Sequence, residues 1–494
     1  MRHLRTGGRR VGASVLAIAL LCLLLASSAS ARVTVFWSNT LANKISFAPL
    51  TEEGSGADLA IDPADVNLPI GTAIDAAAGK IYWLNGGGAG SVGYANLNGG
   101  GAGLLNTTGA AFSNPSGLAI DPAGGRIYWG NREAGNDSIA YTNLNGSGGG
   151  LLKPAGATLE PNAVAVDPAG GRIYWSNFNT GKISYANLDG TNAHDLDTGG
   201  APIDGPEGVA VDSSKGRVYW ANHTGNSFGY ANVNGGEGGE PHLNLAASEP
   251  VGVAIDPLNQ VLYWGSEGSE RIQSGNLAGC CTVPLSTGSA TQNGPAFPAI
   301  LRSPMMGQFP SVQGLHKPGS TLSCSPGQWA GDQVEAFYYR APQSLSYQWF
   351  RNGKAIPGAT TSSVLASKVG TYGCGVTATN FAGSDAEVSP IDFSVNATVG
   401  FKKVSFNRRR GTATLRVAVT GQGRLDLYGT GVANAQRKHA TGTAKLVVRT
   451  SGKARIKLMK TGRAKVKARV SYTPEGGKAI KRFKAVVLKK RLRH

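Results

Sequence analysis

Charge is sparse in this chain and reactive side chains are sparser: 16% of the 494 residues are Asp, Glu, Lys or Arg, with five cysteines and seven histidines. His194, His223 and His242 stand far apart, with no metal-ligand spacing among them and no nucleophile motif nearby. No catalytic residues, metal or cofactor are therefore expected. Beyond residue 31 no apolar run approaches the ~20 residues that a membrane-spanning helix needs, so no transmembrane segment is expected there. Acidic residues almost vanish at one end, where residues 401–494 hold 27 Lys and Arg against Asp426 and Glu475. The net charge of +18 is thus a local property, because residues 32–400 carry 28 acidic residues against 17 basic ones. Glycine is abundant instead, at 71 residues. Each interior glycine costs a helix about 1 kcal/mol, whereas turns with positive φ require it, so the excess points to turns between strands.

The first 31 residues have the pattern of a secretory signal. Arg2, Arg5, Arg9 and Arg10 precede an apolar core from Val11 to Leu25, and Ala29-Ser30-Ala31 supplies a small-residue cleavage site. The core falls short of a bilayer span, so a mature chain beginning at Arg32 is expected to be secreted or held at the cell surface.

Internal repetition dominates residues 32–301. Trp37, Trp83, Trp129, Trp175, Trp220 and Trp264 recur at intervals of 46, 46, 46, 45 and 44 residues. A typical copy has an apolar strand ending in Asp (Gly117 to Asp121), a Pro/Gly turn, a strand carrying the tryptophan (Ile127 to Asn131), a third strand (Ile139 to Leu144) and an Asn145-Gly146 hairpin signal into a fourth. Short antiparallel strands repeated in this way predict a six-bladed β-propeller. The first copy lacks its inner strand, and a spare one, Gly294 to Leu301, follows the sixth in matching register. The ring is expected to close there.

The phrases Ala-Ile-Asp-Pro-x-x-Gly-Arg-Ile-Tyr-Trp-x-Asn and Ile-x-Tyr-Ala-Asn-Leu-Asp-Gly resemble the low-density-lipoprotein-receptor class B repeat, the YWTD propeller. The motif's final Asp is replaced by Asn39, Asn85, Asn131, Asn177 and Asn222, and by Ser266 in the sixth copy. The resemblance implies an extracellular scaffold that binds proteins on one face without catalysis, although other six-bladed rings include hydrolases and lyases. Aspartates before the Asp-Pro turns read as structural. Connections at the other end differ in every copy and carry Arg132, Glu133, Asp137, Phe178, Asn179, His223, Glu267, Glu270 and Arg271. Glu207 is placed at the channel mouth, where other copies have Ile70, Ser116, Asn162, Val251 and Ala296. These ten residues are the candidate face for an extracellular protein or glycan ligand. Two other readings stay open: unconstrained loops that have drifted, and an enzyme built around Glu207 and His223.

In residues 302–395, Cys324, Trp349 and Cys374, with Tyr372 two places before the second cysteine, resemble an immunoglobulin-like sandwich of secreted bacterial proteins. The resemblance implies a Cys324–Cys374 disulfide. Gln328 to Gln343 reads as an inserted loop with Phe337, Tyr338 and Tyr339 half packed, and the whole segment as a spacer. Adjacent Cys280 and Cys281 are compatible with a vicinal disulfide or with two thiols. Residues 396–494 alternate apolar and basic in runs such as Lys445 to Arg449, Arg455 to Leu458 and Lys465 to Val470, which predicts a small all-β module with one cationic face. Its aromatics, Phe401, Phe406, Tyr428, Tyr472 and Phe483, read as core, so nucleic acid is disfavoured and acidic envelope polymers are the expected partners. The alternative there is a solvated basic surface with no dedicated partner. The overall expectation is an all-β chain of three modules.

Overall fold

A computed structural model describes residues 32–492 apart from 51–53, 242, 244–248 and 391–392. Residues 1–31, expected to be an export signal, His242 and the side chains of Cys280 and Cys281 lie outside the described residues. Among the described residues no helix is long and apolar enough to cross a membrane.

Each repeat folds into a four-stranded antiparallel sheet. In blade 3 the inner strand Pro115–Asp121 is followed by Arg126–Asn131, Ser138–Asn143 and Gly149–Leu152. Six such sheets form a β-propeller, and the strand Pro295–Arg302 completes blade 1 by pairing antiparallel with Val33–Asn39, with Val35 opposite Ile300. Closure removes both free edges from the ring. All six repeat tryptophans are fully buried. In blades 2 to 6 the Asp that ends the inner strand caps its own turn: Asp121 Oδ1 accepts from the Gly124 N–H at 2.8 Å, and Asp167 Oδ1 from the Gly170 N–H at 2.8 Å.

The substitution of Asn for the motif's last Asp has a physical reason. Asn131 Nδ2 donates to the Ala111 carbonyl at 3.1 Å and to Ser138 Oγ at 3.1 Å, while its Oδ1 accepts from the Ser113 N–H at 3.1 Å. Asn222 repeats this with Pro202, Ser227 and Asp204. A carboxylate accepts only, so it could not donate to the loop carbonyl, which would keep only the indole N–H of Trp129, at 3.2 Å, as donor. A second repeated device places Lys80, Arg126, Arg172 and Arg217 over Tyr94, Tyr141, Tyr185 and Tyr230, at 4.4–4.8 Å from the ring centroids. Such contacts contribute about 0.5–1 kcal/mol each at exposed sites.

Around the channel axis the inner strands meet backbone to backbone. Each bulges near its start, and Gly117 there has φ 52°, with space so tight that a Cβ would lie 2.5 Å from Ala163 Cα. Phe297 takes the equivalent place in the closing strand, also at positive φ, and is buried.

Residues 306–395 depart from the expected spacer. Their strands form a three-stranded sheet containing Ser320–Ser325 and a five-stranded one containing Ser344–Arg351 and Gly370–Asn380. Cys324 and Cys374 form a disulfide between them beside buried Trp349. Phe337, Tyr338 and Tyr339, expected to be half packed, are instead buried against the propeller, as are all residues from Val334 to Tyr339, while Gln328, Gly331 and Gln343 at the loop's flanks stay exposed. Val334–Ala336 forms a short 3-10 turn against the inner strands of blades 3 to 6, and Tyr338–Tyr339 pairs in parallel with Pro295–Arg302. Tyr338 and Tyr339 are both 0% exposed. This stopper enters at the Asp-turn end of the channel. Burial pushes the Glu335 carboxyl up to about 7; Ser213 opposes the shift, and Asp167 and Asp212 add to it. A second attachment packs Phe381 on Phe36 and Phe47 of blade 1, and Asn380 Nδ2 donates to the Arg302 carbonyl at 2.7 Å.

The C-terminal module is a sheet ordered Val399–Asn407, Thr412–Tyr428, Arg463–Pro474, Ile480–Lys489, with Ala435–Val448 pairing on the long second strand. Arg455 to Leu458, expected as a strand, lies in the helix Gly452–Thr461. Four alternating residues fit either period; Leu458 is buried, Ile456 is exposed, and Gly462 at φ 65° ends the helix in the left-handed conformation. Tyr472 is core as expected, but Phe406 and Phe483 are 54% and 64% exposed.

Candidate recognition site at the channel mouth

With one end stoppered, the other carries the candidate site. Two structural positions build it, each repeated in every blade. The residue after the motif Asn sits at the rim and supplies Thr40, Gly86, Arg132, Phe178, His223 and Glu267. The second residue of the inner strand sits further in and supplies Ile70, Ser116, Asn162, Glu207, Val251 and Ala296. The charged and titratable members, Arg132, Glu207, His223 and Glu267, come from blades 3, 5 and 6, so the mouth is lopsided.

Arg132 Nη1 donates to Asn162 Oδ1 at 2.5 Å, linking blade 3 to blade 4. Asn162 is 0% exposed, and its Nδ2 meets no hydrogen-bond acceptor among the described residues. His223 Nε2 lies 3.5 Å from Glu267 Oε2, with the Phe178 ring 6.1 Å from the imidazole. Glu207 stands half-buried between these pairs, its carbonyl held by Ser176 Oγ at 2.7 Å. Burial raises the Glu207 carboxyl above its ordinary range; His223 pulls it down, Glu267 pushes it up, and Arg132 and the approaching Asn162 amide pull it down again. The result is a cup with one acid that protonates more readily than usual, one amide donor only loosely engaged by that acid and a cation on the rim.

Of the predicted residues, Arg132, Phe178, Glu207, His223 and Glu267 converge here. Glu133, Asp137, Asn179 and Glu270 occupy outer loops and Arg271 opens the strand Arg271–Asn276; among the described residues only the Glu270 N–H, donating to the Glu267 carbonyl at 3.2 Å, links them to that group. Asn162 is the addition. Its signal was its place in register with Glu207, which marks it as an inward position but not as a partner of Arg132.

No family model and no curated protein matches the chain. Among solved structures it is similar to a chain of a nidogen/laminin complex, with 21% identity, 54% of this chain and 98% of that one covered, and a TM-score of 0.46. A TolB candidate from Agrobacterium tumefaciens matches at 14% identity over 52% of this chain and 89% of that one, with a TM-score of 0.37. Hydrazine synthase of Kuenenia stuttgartiensis matches at 14% identity over 49% and 73%, also with a TM-score of 0.37.

Proposed function

We propose that this chain is an exported, non-catalytic binding protein whose recognition face is the channel mouth around Glu207. The carrying observation is the convergence at one mouth of Arg132 bonded to buried Asn162, His223 facing Glu267, and half-buried Glu207 between them. The Asn162 amide approaches the Glu207 carboxyl without a well-formed hydrogen bond, so a ligand oxygen reaching the cup competes for that donor. Arg132 and His223 suit a ligand with polar or acidic groups, protein or glycan. Residues 32–301 serve as a YWTD-like propeller. The two disulfide-linked sheets support an immunoglobulin-like reading of residues 302–395, in which the Tyr372 hydroxyl donates to the Lys368 carbonyl at 2.8 Å. Residues 396–494 hold the assembly at an anionic envelope surface, through long-range attraction that salt screens.

Binding of the full mature chain to arrays of extracellular proteins and glycans tests this reading. Arg132→Glu and Asn162→Leu should each abolish the selected signal, whereas Arg271→Glu, at the start of the strand Arg271–Asn276, should leave it. A ligand retained by both mouth variants overturns the assignment. A second reading is supported by the raised Glu207 carboxyl close to His223, an acid beside a base. Turnover of lactones or glycosides that is lost in Glu207→Gln would favour that hydrolase or lyase.

A further inference from the structure

The basic module is not evenly charged in space. Where the helix Gly452–Thr461 hands over to the strand Arg463–Pro474, a cleft of about 400 Å³ opens, lined by Arg408, Arg463, Lys489, Lys490 and Arg491. The cations arrive from three separate segments. Arg408 follows the first strand, Arg463 begins the fourth, and Lys489 to Arg491 end the last. Backbone bonds staple these segments together: the Arg491 N–H donates to the Arg408 carbonyl at 2.9 Å, and the Lys490 N–H to the Gly462 carbonyl at 2.8 Å. The charged side chains therefore spring from a fixed frame.

That frame holds like charges together. Arg463 and Lys489 are direct cross-strand partners, an arrangement that is destabilising without a counterion. Among the described residues no carboxylate lines the cleft. Asp426 accepts from Arg424 Nε at 3.0 Å and Gln436 Nε2 at 2.9 Å, and Glu475 is placed beyond the far end of the strand Arg463–Pro474 by backbone bonds to Val369 and Gln422. From Arg463 a line of exposed cations continues along the strand as Lys465, Lys467 and Arg469. Alternate residues of a strand are about 7 Å apart on one face, a spacing at which an extended polyanion can meet each in turn.

We propose that this cleft seats one phosphodiester of an extended polyol-phosphate chain, whose following phosphates lie along Lys465, Lys467 and Arg469. Cations converging from three directions suit a tetrahedral oxyanion better than a planar carboxylate, and arginine forks bind phosphate oxygens two at a time. The line of cations is poor in stacking surfaces. Phe483 is the exposed ring beside it, and Lys467 Nζ already covers that ring at 4.0 Å from its centroid. Single-stranded nucleic acid is held by successive open aromatic faces, so a chain without bases fits better. The proposal rests on the reading of this module as an envelope tether and gives that tether an address.

The test is titration of the full mature chain with three anionic oligomers of matched charge: glycerol phosphate, galacturonate and thymidylate. The cleft variant is Arg463→Gln with Lys489→Gln. Its control is Arg416→Gln with Lys445→Gln, a second pair of cations facing each other across strands but outside the cleft. All four side chains are exposed, so the fold should survive, and circular dichroism checks it. Expected are an affinity loss of about tenfold or more for glycerol phosphate in the cleft variant only, and a salt slope lowered there by about 1 to 2. Galacturonate and thymidylate should both bind more weakly than glycerol phosphate. Equal losses in both variants would sink the localised site while leaving charge-based retention intact. Thymidylate binding tighter than glycerol phosphate would make this a nucleic-acid site, and equal binding of galacturonate would remove the phosphate assignment. If the unaltered chain binds none of the three, both the cleft and the tether fail.

Discussion

The Arg302 guanidinium donates to the Tyr338 hydroxyl at 3.0 Å, joining the last residue of the closing strand to the loop that stoppers the channel. Both lie in one continuous core that contains Val334, Ala336 and Phe337 alongside the propeller tryptophans. Propeller and stopper should therefore melt as a unit. Tyr339→Ala empties a fully buried site and should cost about 3 kcal/mol, by analogy with other large aromatic truncations. Differential scanning calorimetry should show one shifted transition for residues 32–395. Two separated transitions with only the smaller one shifted would mean that the loop is a passenger.

Glu335 gives stability a dependence on pH. Its carboxyl, raised to about 7, is best accommodated protonated, so its contribution is complete below the ordinary carboxyl range and is lost as pH climbs from about 4.5 through about 7. Glu335→Gln mimics the protonated form. Urea midpoints of the two proteins should coincide at pH 4.5, and the variant should be more stable by about 2 kcal/mol at pH 8.

Asp58 and Asp195 act in a lower window and with the opposite sign. Burial raises each carboxyl, but the bonds from Lys44, Ser46 and Thr291, and from Lys182, Thr158 and Ser184, outweigh it and bring both to about 2. Their stabilisation is present at neutral pH and disappears as pH falls from about 4 to about 2. Both sites are partly solvated, so solvent screening reduces each to about 1 kcal/mol. The double change Asp58→Asn with Asp195→Asn should cost about 2 kcal/mol at pH 6 and almost nothing near pH 2, read from urea midpoints.

Placing the YWTD motif's aspartate at this position is expected to harm the propeller. Asn131→Asp removes the donor that serves the Ala111 carbonyl and Ser138 Oγ and places a carboxylate where exposure is 0%. A loss of about 2 kcal/mol or more at pH 7 should follow, shrinking in acid as the carboxyl protonates and regains a donor. A thermal-shift comparison at pH 4 and pH 8 separates this cause from simple crowding.

Much of this architecture was legible because the repeat copies comment on one another. The tryptophan spacing marked six blades, and the spare strand from Gly294 to Leu301 marked the closure, with Val35 opposite Ile300. The mouth was legible only in part. Aligning the copies placed Glu207 and Asn162 inward, but which rim residue meets which inner residue depends on the stagger between blades, and a linear pattern does not encode that. The stopper left no periodic trace. Phe337, Tyr338 and Tyr339 form a short aromatic run that could pack within their own sheets or against another module, and only the path of the chain decides. Phe483 misled for a simpler reason: an aromatic in a strand reads as core, yet the cations beside it turn its ring outward.

The closing strand also sets an order of events in time. A ribosome would release Val33–Asn39 more than 250 residues before its partner Pro295–Arg302, and Tyr338–Tyr339 later still. Until then the first blade has an unpaired edge and the ring stands open. Contacts between such distant parts of a chain form slowly, because loop closure must precede any gain from pairing. The interval between the birth of the first strand and the arrival of its partner is thus the period when this chain is most exposed to edge pairing with its neighbours, and most in need of a chaperone.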